Sequence, residues 1–304
     1  MPERRHTDPL HLGTDEQPYS KGLMARALMR TGLGVTPAYE VARRIEQDLA
    51  SSGKQTADFQ RIQELAVDVM GEEDGGLAIT RLRRYRDLDE LDLPLIILIG
   101  GATGTGKSTV AAEVAYRLGI TRVTSTDFVR QTMRALFTPE FLPAIHYSSF
   151  DAGRALPSAQ EEEVDPLLHG FLEQTRHVLV GVQAAIERSL EEGWSMVIEG
   201  VHLVPGMLPR MVENALVVEC VITIGNEETH AGHFWIRDIA SEGIRPLDKY
   251  LERLGDIRYL QDYIVERAQV EGVPVLENSE REKAIGAVIE LVLMAADRVQ
   301  EVSQ

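Results

Sequence analysis

The stretch that decides the fold is Leu95-Ile-Ile-Leu-Ile-Gly-Gly-Ala-Thr-Gly-Thr-Gly-Lys-Ser108. It opens with a continuous aliphatic run, which is typical of a strand buried on both faces of a parallel sheet. Gly101 to Ser108 then matches the Walker A pattern, and Gly106 to Leu118 reads as a helix that Gly119 ends. A glycine-rich loop between a buried strand and a helix is a phosphate-binding context. The stretch therefore predicts a nucleotide-binding α/β domain.

The chemistry of phosphate binding accounts for the residues of this loop. Its glycines permit backbone angles at which successive N–H groups converge on phosphate oxygens. Lys107 is expected to reach the β- and γ-phosphates of ATP, and Ser108 to bind Mg²⁺. We predict that the nucleotide is held by nine consecutive residues: Gly101, Ala102, Thr103, Gly104, Thr105, Gly106, Lys107, Ser108 and Thr109.

Two carboxylates follow other predicted strands. Glu199 ends the apolar run Met196 to Ile198, the place of a Walker B residue that holds Mg²⁺ through water. Asp127 follows a predicted strand at Thr121 to Thr124, and ligands gather beyond the carboxyl ends of such strands. We expect Asp127 to face the γ-phosphate, where it accepts a proton from an attacking hydroxyl or helps to hold the metal. The alternatives are a surface glutamate and, for Asp127, an N-cap of the helix Phe128 to Leu136.

Strands and helices alternate after residue 94, which predicts an α/β fold. Further strands are expected at Leu216 to Ile224 and Pro274 to Leu276, with helices at Asp165 to Gly193 and Glu280 to Val299. The prediction is a P-loop kinase fold with a mostly parallel five-stranded sheet flanked by helices. The residues before it have helical spacing, as at Val41, Ile45 and Leu49, and predict a small helical domain. We place the two domains at residues 1–88 and 89–304.

Basic and hydroxyl residues recur after the predicted strands of an otherwise acidic chain. Arginine suits carboxylates and phosphates because its planar fork binds two oxygens at once. We predict an anionic small-molecule substrate bound by Arg130, Arg134, His146, Ser148, Ser149, His202 and His233. The segment His230 to Arg258 resembles a lid over the phosphates, and Arg237 and Arg245 are its expected catalytic contacts. A solvated helix face or a surface ion pair remains the alternative for each residue.

The composition excludes several classes of function. A net charge of −17 argues against a general nucleic-acid binder, which normally has a basic surface. The single cysteine, Cys220, excludes an internal disulfide and any four-cysteine metal site, and its apolar surroundings predict a buried residue. No apolar stretch is long enough to cross a bilayer, and the first residues lack a secretory signal. The cytoplasm is therefore the expected compartment.

With these residues in place, the chain resembles the 2-phosphoglycerate kinase family. The shared stretches are Ile99-Gly-Gly-Ala-Thr-Gly-Thr-Gly-Lys-Ser-Thr109, Ser125-Thr-Asp-Phe-Val-Arg-Gln-Thr-Met-Arg134, His146-Tyr-Ser-Ser-Phe150 and Ile198-Glu-Gly-Val-His-Leu-Val-Pro-Gly206. The resemblance implies transfer of a phosphoryl group from ATP to the 3-hydroxyl of 2-phosphoglycerate, giving 2,3-bisphosphoglycerate. That acceptor carries a phosphate and a carboxylate, which suits the basic residues named above.

The N-terminal part is similar to the second half of an ATP-cone, a nucleotide-sensing module that also precedes this kinase domain. The similarity lies in Pro18-Tyr-Ser-Lys-Gly22 and in Gly32 to Leu49. The opening strands of an ATP-cone are not found in residues 1–17, so we favour a structural or degenerate regulatory role for this partial cone.

Two other functions are compatible with the residues. A nucleoside or nucleotide kinase shares this fold and would need stacking aromatics, which Phe128, Phe137 and Tyr147 could supply. An ATP-binding regulatory protein would use the helical part as a sensor and would have no small-molecule acceptor.

Overall fold

The structure is a computed structural model that describes residues 19–91, 93–156, 165–208, 214–240 and 247–303. The chain divides into two compact units. One contains the described residues up to 91 together with those from Gly286 onward, and the other runs from Leu93 to Ile285. No helix among the described residues is both long enough and apolar enough to cross a membrane.

The first unit is helical, which confirms the prediction of a small helical domain. Its helices are α1 (Lys21–Arg30), α2 (Val35–Ser52), α3 (Phe59–Met70) and α4 (Glu72–Glu90). The three apolar residues that recur every four positions in α2, Val41, Ile45 and Leu49, are all buried in one cluster with residues of the other helices. Helical spacing places these side chains on one face, so that face forms the core of the unit.

The second unit is the α/β part of the chain. Its elements are β1 (Leu95–Gly100), α5 (Lys107–Leu118), β2 (Val123–Ser125), α6 (Thr126–Leu136), α7 (Pro166–Glu191), β3 (Met196–Gly200), β4 (Leu216–Thr223), α8 (Glu227–Ala240), α9 (Leu247–Leu251), α10 (Leu254–Glu271) and β5 (Val275–Glu277). The last helix, α11 (Arg281–Ser303), begins here. Two short 3₁₀ helices, Pro143–His146 and Ser149–Ala155, lie between α6 and α7.

The sheet has five strands in the order β2-β3-β1-β4-β5, and every strand pair is parallel. All five strands occur where the sequence predicted them, with ends that differ by one or two residues. The register pairs Gly100 with Gly200 and Ser125 with Glu199. The carboxyl ends of β1, β2 and β3 therefore meet at one edge of the sheet, next to the phosphate-binding loop.

Two central strands of this sheet, β1 and β3, are buried along their whole length. Cys220 of β4 is fully buried as the sequence predicted, and burial raises the pKa of its thiol to about 12. A protonated, buried thiol is a packing residue rather than a nucleophile.

The start of α6 corrects one sequence-based alternative. The N-cap is Ser125, whose hydroxyl accepts a hydrogen bond from the backbone N–H of Phe128 at 3.0 Å. Asp127 is thus inside the first turn instead of capping the helix. The helix begins earlier than predicted because a serine two residues before Asp127 satisfies the exposed N–H group.

The last helix is divided between the two units. From Gly286 onward its residues belong to the helical unit, where Arg81 and Arg84 of α4 bind Glu290 at 3.2 and 2.5 Å. Arg84 also binds Asp297 at 2.6 Å. These ion pairs, distant in sequence, give no local signal in the chain. A boundary between residues 88 and 89 stays a prediction.

Candidate active site

The phosphate-binding loop connects β1 to α5 and has the backbone that its glycines predict. Gly101, Gly104 and Gly106 have φ angles of 139°, 88° and 82°. Such angles are readily accessible only to glycine. Helix α5 starts at Lys107, so its positive end faces the loop.

Lys107 folds back over this loop. Its ammonium group donates a hydrogen bond to the carbonyl of Ala102 at 3.1 Å, and the hydroxyl of Thr105 donates to the same oxygen at 3.0 Å. The ammonium group is thus held at the loop, within the reach of a phosphate bound there. Ser108 follows at the start of α5 with an exposed position, as a metal-binding hydroxyl requires.

The two predicted carboxylates lie at adjacent strand ends. Glu199, at 7% exposure, is buried near the end of β3 beside Ser125. Asp127 stands in the first turn of α6 with 62% of its side-chain surface exposed, and it accepts a hydrogen bond from Nε of Arg130 at 3.2 Å. The topology therefore brings Asp127 and Glu199 to the edge of the sheet that carries the loop.

The pKa of Asp127 is lowered by its neighbours. Loss of hydration is the largest single influence and raises this pKa, but the combined attraction of His202, Arg130 and Lys107 outweighs it. Burial lowers the pKa of His202 itself to about 3. Because His202 is neutral at pH 7, the charges that keep Asp127 ionised there are those of Arg130 and Lys107.

His202 does not lie in the position that the sequence predicted for it. It is fully buried, and both ring nitrogens have protein partners: Nδ1 lies 2.8 Å from the hydroxyl of Thr126, and Nε2 lies 2.9 Å from Oε1 of Gln174. The prediction that His202 contacts the substrate directly is therefore wrong, because no part of its ring is accessible.

The hydrogen bonds around His202 fix the direction of each donor. Nε2 of Gln174 donates to the carbonyls of Ala144 and Tyr147 at 2.6 and 3.1 Å, so Oε1 of Gln174 must accept from His202. The neutral imidazole consequently carries its hydrogen on Nε2 and accepts at Nδ1 from Thr126. This chain of bonds connects the residue before Asp127 to the segment 144–147.

Arg130 supports the same segment. Its side chain is 9% exposed, and Nη1 donates to the carbonyls of Ile145 and Tyr147, each at 3.0 Å. Together with the ion pair to Asp127, these bonds make Arg130 a buried clamp between α6 and the 3₁₀ segment. Binding of an anion by Arg130 stays a prediction.

The remaining predicted substrate residues fall into two groups. The first group lies at α6 and the segment that follows it. Arg134 is exposed and donates to Gln131, and Nε2 of His146 lies 3.0 Å from the carbonyl of Phe137. Ser148 accepts from Lys249 at 3.3 Å, and Ser149 is 7% exposed. His233 instead lies at the phosphate-binding loop, with Nδ1 3.0 Å from the carbonyl of Gly104. His233 therefore contacts the phosphate-binding loop, and its binding of the acceptor stays a prediction.

Part of the predicted lid, residues 241–246, lies outside the described residues. The backbone of Arg237 belongs to α8, but its side chain is not described, and Arg245 lies outside the described residues altogether. Among the other cations of this segment, Arg253 donates to the carbonyl of Phe150 at 2.8 Å, and Arg258 donates to that of Gly225 at 2.9 Å. The roles of Arg237 and Arg245 stay predictions.

Sequence reasoning missed three polar residues of the site. Gln174 accepts a hydrogen bond from His202. Nε2 of His230 lies 2.8 Å from the carbonyl of Thr103, and Asn278 donates to the carbonyl of Thr105 at 2.8 Å. One signal was present: His230 and His233 are three apart, which places them on one helix face. Gln174 and Asn278 carried no such signal, because a single polar residue in an apolar helix or after a short strand has many structural explanations.

Comparison with individual known proteins identifies the family of this chain. A family model gives no support, since none matches the chain. It is similar to the 2-phosphoglycerate kinase of Thermococcus kodakarensis, with 36% identity over 272 residues that cover 90% of this chain and 91% of that protein. It is also similar to the 2-phosphoglycerate kinase of Methanothermobacter thermautotrophicus, with 38% identity over 274 residues that cover 90% and 89% of the two chains. On this similarity over nearly the full length, the chain belongs to the 2-phosphoglycerate kinase family.

Proposed function

We propose that this protein transfers the γ-phosphoryl group of ATP to the 3-hydroxyl of 2-phosphoglycerate and releases ADP and 2,3-bisphosphoglycerate. The observation that carries the proposal is the meeting of a Walker A loop with Asp127 at one edge of a parallel sheet, beside the clamped segment 144–147. The names of the relatives supply the acceptor.

The loop is the donor site in this proposal. Its backbone N–H groups and the positive end of α5 bind the phosphates. On binding, the ammonium group of Lys107 leaves the carbonyl of Ala102 for the β- and γ-phosphate oxygens. Arg237 and Arg245 are the proposed lid cations that neutralise charge developing on the transferred group.

Asp127 orients the acceptor hydroxyl. Its pKa is lowered by the nearby cations, so it is a carboxylate at neutral pH but a weak proton acceptor. Phosphoryl transfer passes through a loose transition state in which the attacking oxygen keeps its proton until late. A weak base suffices under those conditions, and its main contribution is to hold the hydroxyl in line with the bond that breaks.

The acceptor site is proposed around the end of α6 and the segment 146–149. Arg134, with its exposed guanidinium group, is the proposed partner of the acceptor phosphate or carboxylate, and His146, Ser148 and Ser149 are proposed to add further contacts. Arg130 contributes its positive charge while it holds the carbonyls of Ile145 and Tyr147.

The residues present suit magnesium. Hard oxygen ligands are available in the hydroxyl of Ser108 and the carboxylates of Asp127 and Glu199, directly or through water. Within the described part of the chain, no group of three or more His, Cys, Asp or Glu residues could hold a metal by itself. Mg²⁺ at kinase sites usually takes only one or two protein ligands and completes its shell with phosphate and water. When bound, it would neutralise charge on the terminal phosphates.

An acceptor panel tests the proposed function. Purified protein with MgATP is incubated with 2-phosphoglycerate, 3-phosphoglycerate, glycerate or a nucleoside, and ADP release and the phosphorylated product are measured. 2-Phosphoglycerate should give by far the highest kcat/KM. 3-Phosphoglycerate is the matched control, because it has the same charged groups with the hydroxyl in another place. Preference for a nucleoside, or no acceptor-dependent ADP release with any compound, would overturn the proposal.

A further inference from the structure

Three consecutive carbonyls of the phosphate-binding loop accept hydrogen bonds from side chains outside the loop. The carbonyl of Thr103 is 2.8 Å from Nε2 of His230, that of Gly104 is 3.0 Å from Nδ1 of His233, and that of Thr105 is 2.8 Å from Nδ2 of Asn278. A carbonyl oxygen only accepts, so each of these nitrogens must carry the hydrogen. We call His230, His233 and Asn278 the carbonyl clasp.

The clasp comes from two segments that follow neighbouring strands. His230 and His233 lie one turn apart on α8, which follows β4, and Asn278 comes directly after β5. The contact depends on glycine at two positions: a Cβ atom at Gly104 would lie 2.4 Å from the ring of Phe234, and one at Gly106 would lie 2.4 Å from Nδ2 of Asn278. These two glycines therefore permit the close approach of the clasp as well as the positive φ angles of the loop.

The clasp determines the direction in which the loop presents its N–H groups. In a planar trans peptide the C=O and N–H bonds point in opposite directions. Fixing the carbonyls of Thr103 and Thr105 therefore aims the N–H groups of Gly104 and Gly106 away from the clasp. The N–H of Thr105 makes only a 3.5 Å contact with the carbonyl of Ala102, which is at the limit of a hydrogen bond and is easily exchanged for a phosphate oxygen.

The alternative, that these histidines bind phosphate as cations, fits His230 poorly. Its side chain is fully buried, and burial lowers its pKa by more than the hydrogen bond to the carbonyl of Thr103 raises it. Nδ1 of His230 is buried and has no hydrogen-bond partner among the described residues, so a second proton there would be unsatisfied. A neutral donor to a carbonyl is the role that its surroundings support.

We propose that His230, His233 and Asn278 are positioning residues that hold the phosphate-binding loop in its phosphate-binding conformation and join α8 to it. The inference rests on the proposed function only in taking ATP as the ligand of the loop. Loss of a clasp residue leaves a loop carbonyl without its partner and lets the peptide plane rotate. Affinity for ATP should then fall about five- to tenfold, as expected for one neutral hydrogen bond.

The two histidines offer matched substitutions. The amide nitrogen of asparagine overlaps Nδ1 of histidine, and that of glutamine overlaps Nε2. His233→Asn and His230→Gln therefore keep the donor, whereas His233→Ala and His230→Ala remove it. The Kd for MgATP is measured by calorimetry without acceptor, and the KM values for ATP and 2-phosphoglycerate are measured by ADP release. We expect a five- to tenfold weaker Kd and a higher KM for ATP in the alanine variants, with the KM for 2-phosphoglycerate within about twofold. The donor-retaining variants should stay within about twofold of wild type in every constant.

Asn226→Ala is the control for general loosening of α8. Asn226 caps this helix by accepting from the N–H of Thr229 at 2.8 Å, without being part of the clasp. It should lower the thermal midpoint while leaving the Kd for MgATP unchanged. If His230→Ala fails to fold, the comparison of His233→Ala with His233→Asn tests the proposal, since the side chain of His233 is only partly buried.

Three outcomes would overturn the proposal. The first is a loss of ATP affinity in Asn226→Ala as large as that in the alanine variants of the clasp. The second is an equal loss of ATP affinity in the alanine variants and in the donor-retaining variants. The third is a rise in the KM for 2-phosphoglycerate instead of the KM for ATP in the alanine variants. The Kd does not require turnover. A wild-type protein that binds MgATP but phosphorylates none of the acceptors would therefore reject the proposed function while leaving the clasp testable.

Discussion

Asp127 and Arg130 are joined one turn apart on α6, where Nε of Arg130 donates to Oδ1 of Asp127 at 3.2 Å. The same guanidinium group donates through Nη1 to the carbonyls of Ile145 and Tyr147. The proposed orienting carboxylate and the segment proposed to bind the acceptor therefore share one rigid partner. This arrangement ties the position of the reacting hydroxyl to the position of the acceptor's anionic groups.

Asp127→Asn should lower kcat by about 10²–10⁴-fold with small changes in either KM, because the neutral amide orients the acceptor hydroxyl less strongly and cannot take its proton late in the transfer. Steady-state kinetics with both substrates measure this. Since the pKa of Asp127 lies below its ordinary value of about 4, wild-type kcat should show no acidic limb from this residue above about pH 5. An acidic limb near pH 6 that disappears in Asp127→Asn would contradict the low pKa.

Arg130→Ala should be costly for both stability and acceptor binding. It leaves the carbonyls of Ile145 and Tyr147 without a charged donor, which is worth about 2–4 kcal/mol in the free energy of unfolding. The KM for 2-phosphoglycerate should rise with it, whereas the KM for ATP should change little. Urea denaturation and kinetics check the two effects, and a variant of wild-type stability would show that the clamp contributes nothing.

Arg134→Ala should raise the KM for 2-phosphoglycerate about tenfold or more without loss of stability, because its exposed guanidinium group is proposed to bind the acceptor. The matched control is Arg188→Ala, an exposed arginine near the end of α7 that pairs with Glu191 and Glu192 at the opposite edge of the sheet from the loop. The Arg188 variant should have wild-type kinetics. A larger rise in the KM for ATP than for the acceptor would move Arg134 out of the acceptor site.

Lys107→Ala should reduce kcat/KM for ATP by at least about three orders of magnitude, or about 4 kcal/mol of transition-state stabilisation. The fold should survive, because the bond from Lys107 to the carbonyl of Ala102 lies within the loop itself. Circular dichroism and a thermal midpoint close to that of wild type serve as the control. Turnover comparable to wild type would show that another loop binds the reacting phosphates.

The buried His202 predicts a pH dependence of stability. Its pKa is about 3 in the folded protein, against about 6.5 in an unfolded chain. Between these pH values the unfolded chain binds one more proton than the folded protein does. The free energy of unfolding should therefore fall as pH drops below about 6.5, by up to about 1.4 kcal/mol per pH unit from this residue.

His202→Gln provides the comparison, since it removes the titrating ring and keeps a donor toward Gln174. The free energy of unfolding is measured by urea denaturation at several pH values between 7 and 4.5. Its slope against pH should be shallower for this variant than for wild type, whatever the absolute stability of the variant. His169→Gln, at a partly exposed histidine of α7, is the control. Equal slopes in wild type and His202→Gln would show that His202 is not buried in its neutral form.

The sequence by itself determined the fold class, the loop and the family. The aliphatic run before Gly101 and the Walker A pattern are local: a buried strand, positive φ angles and a helix start follow from neighbouring residues, and five strands were found where they were predicted. The parallel sheet then placed Asp127 and Glu199 at the edge of the sheet that carries the loop, since strand ends of one kind meet at one edge.

Only the tertiary structure decided what each polar residue touches. His202 was expected at the substrate and is fully buried between Thr126 and Gln174, and His233 was expected at the acceptor and lies against Gly104. The accessibility of a side chain and the partner it meets depend on elements distant in sequence. A histidine after a strand has the same local pattern whether its ring turns toward the cleft or into the core, so the chain determined where the site forms and the packing determined which residues face it.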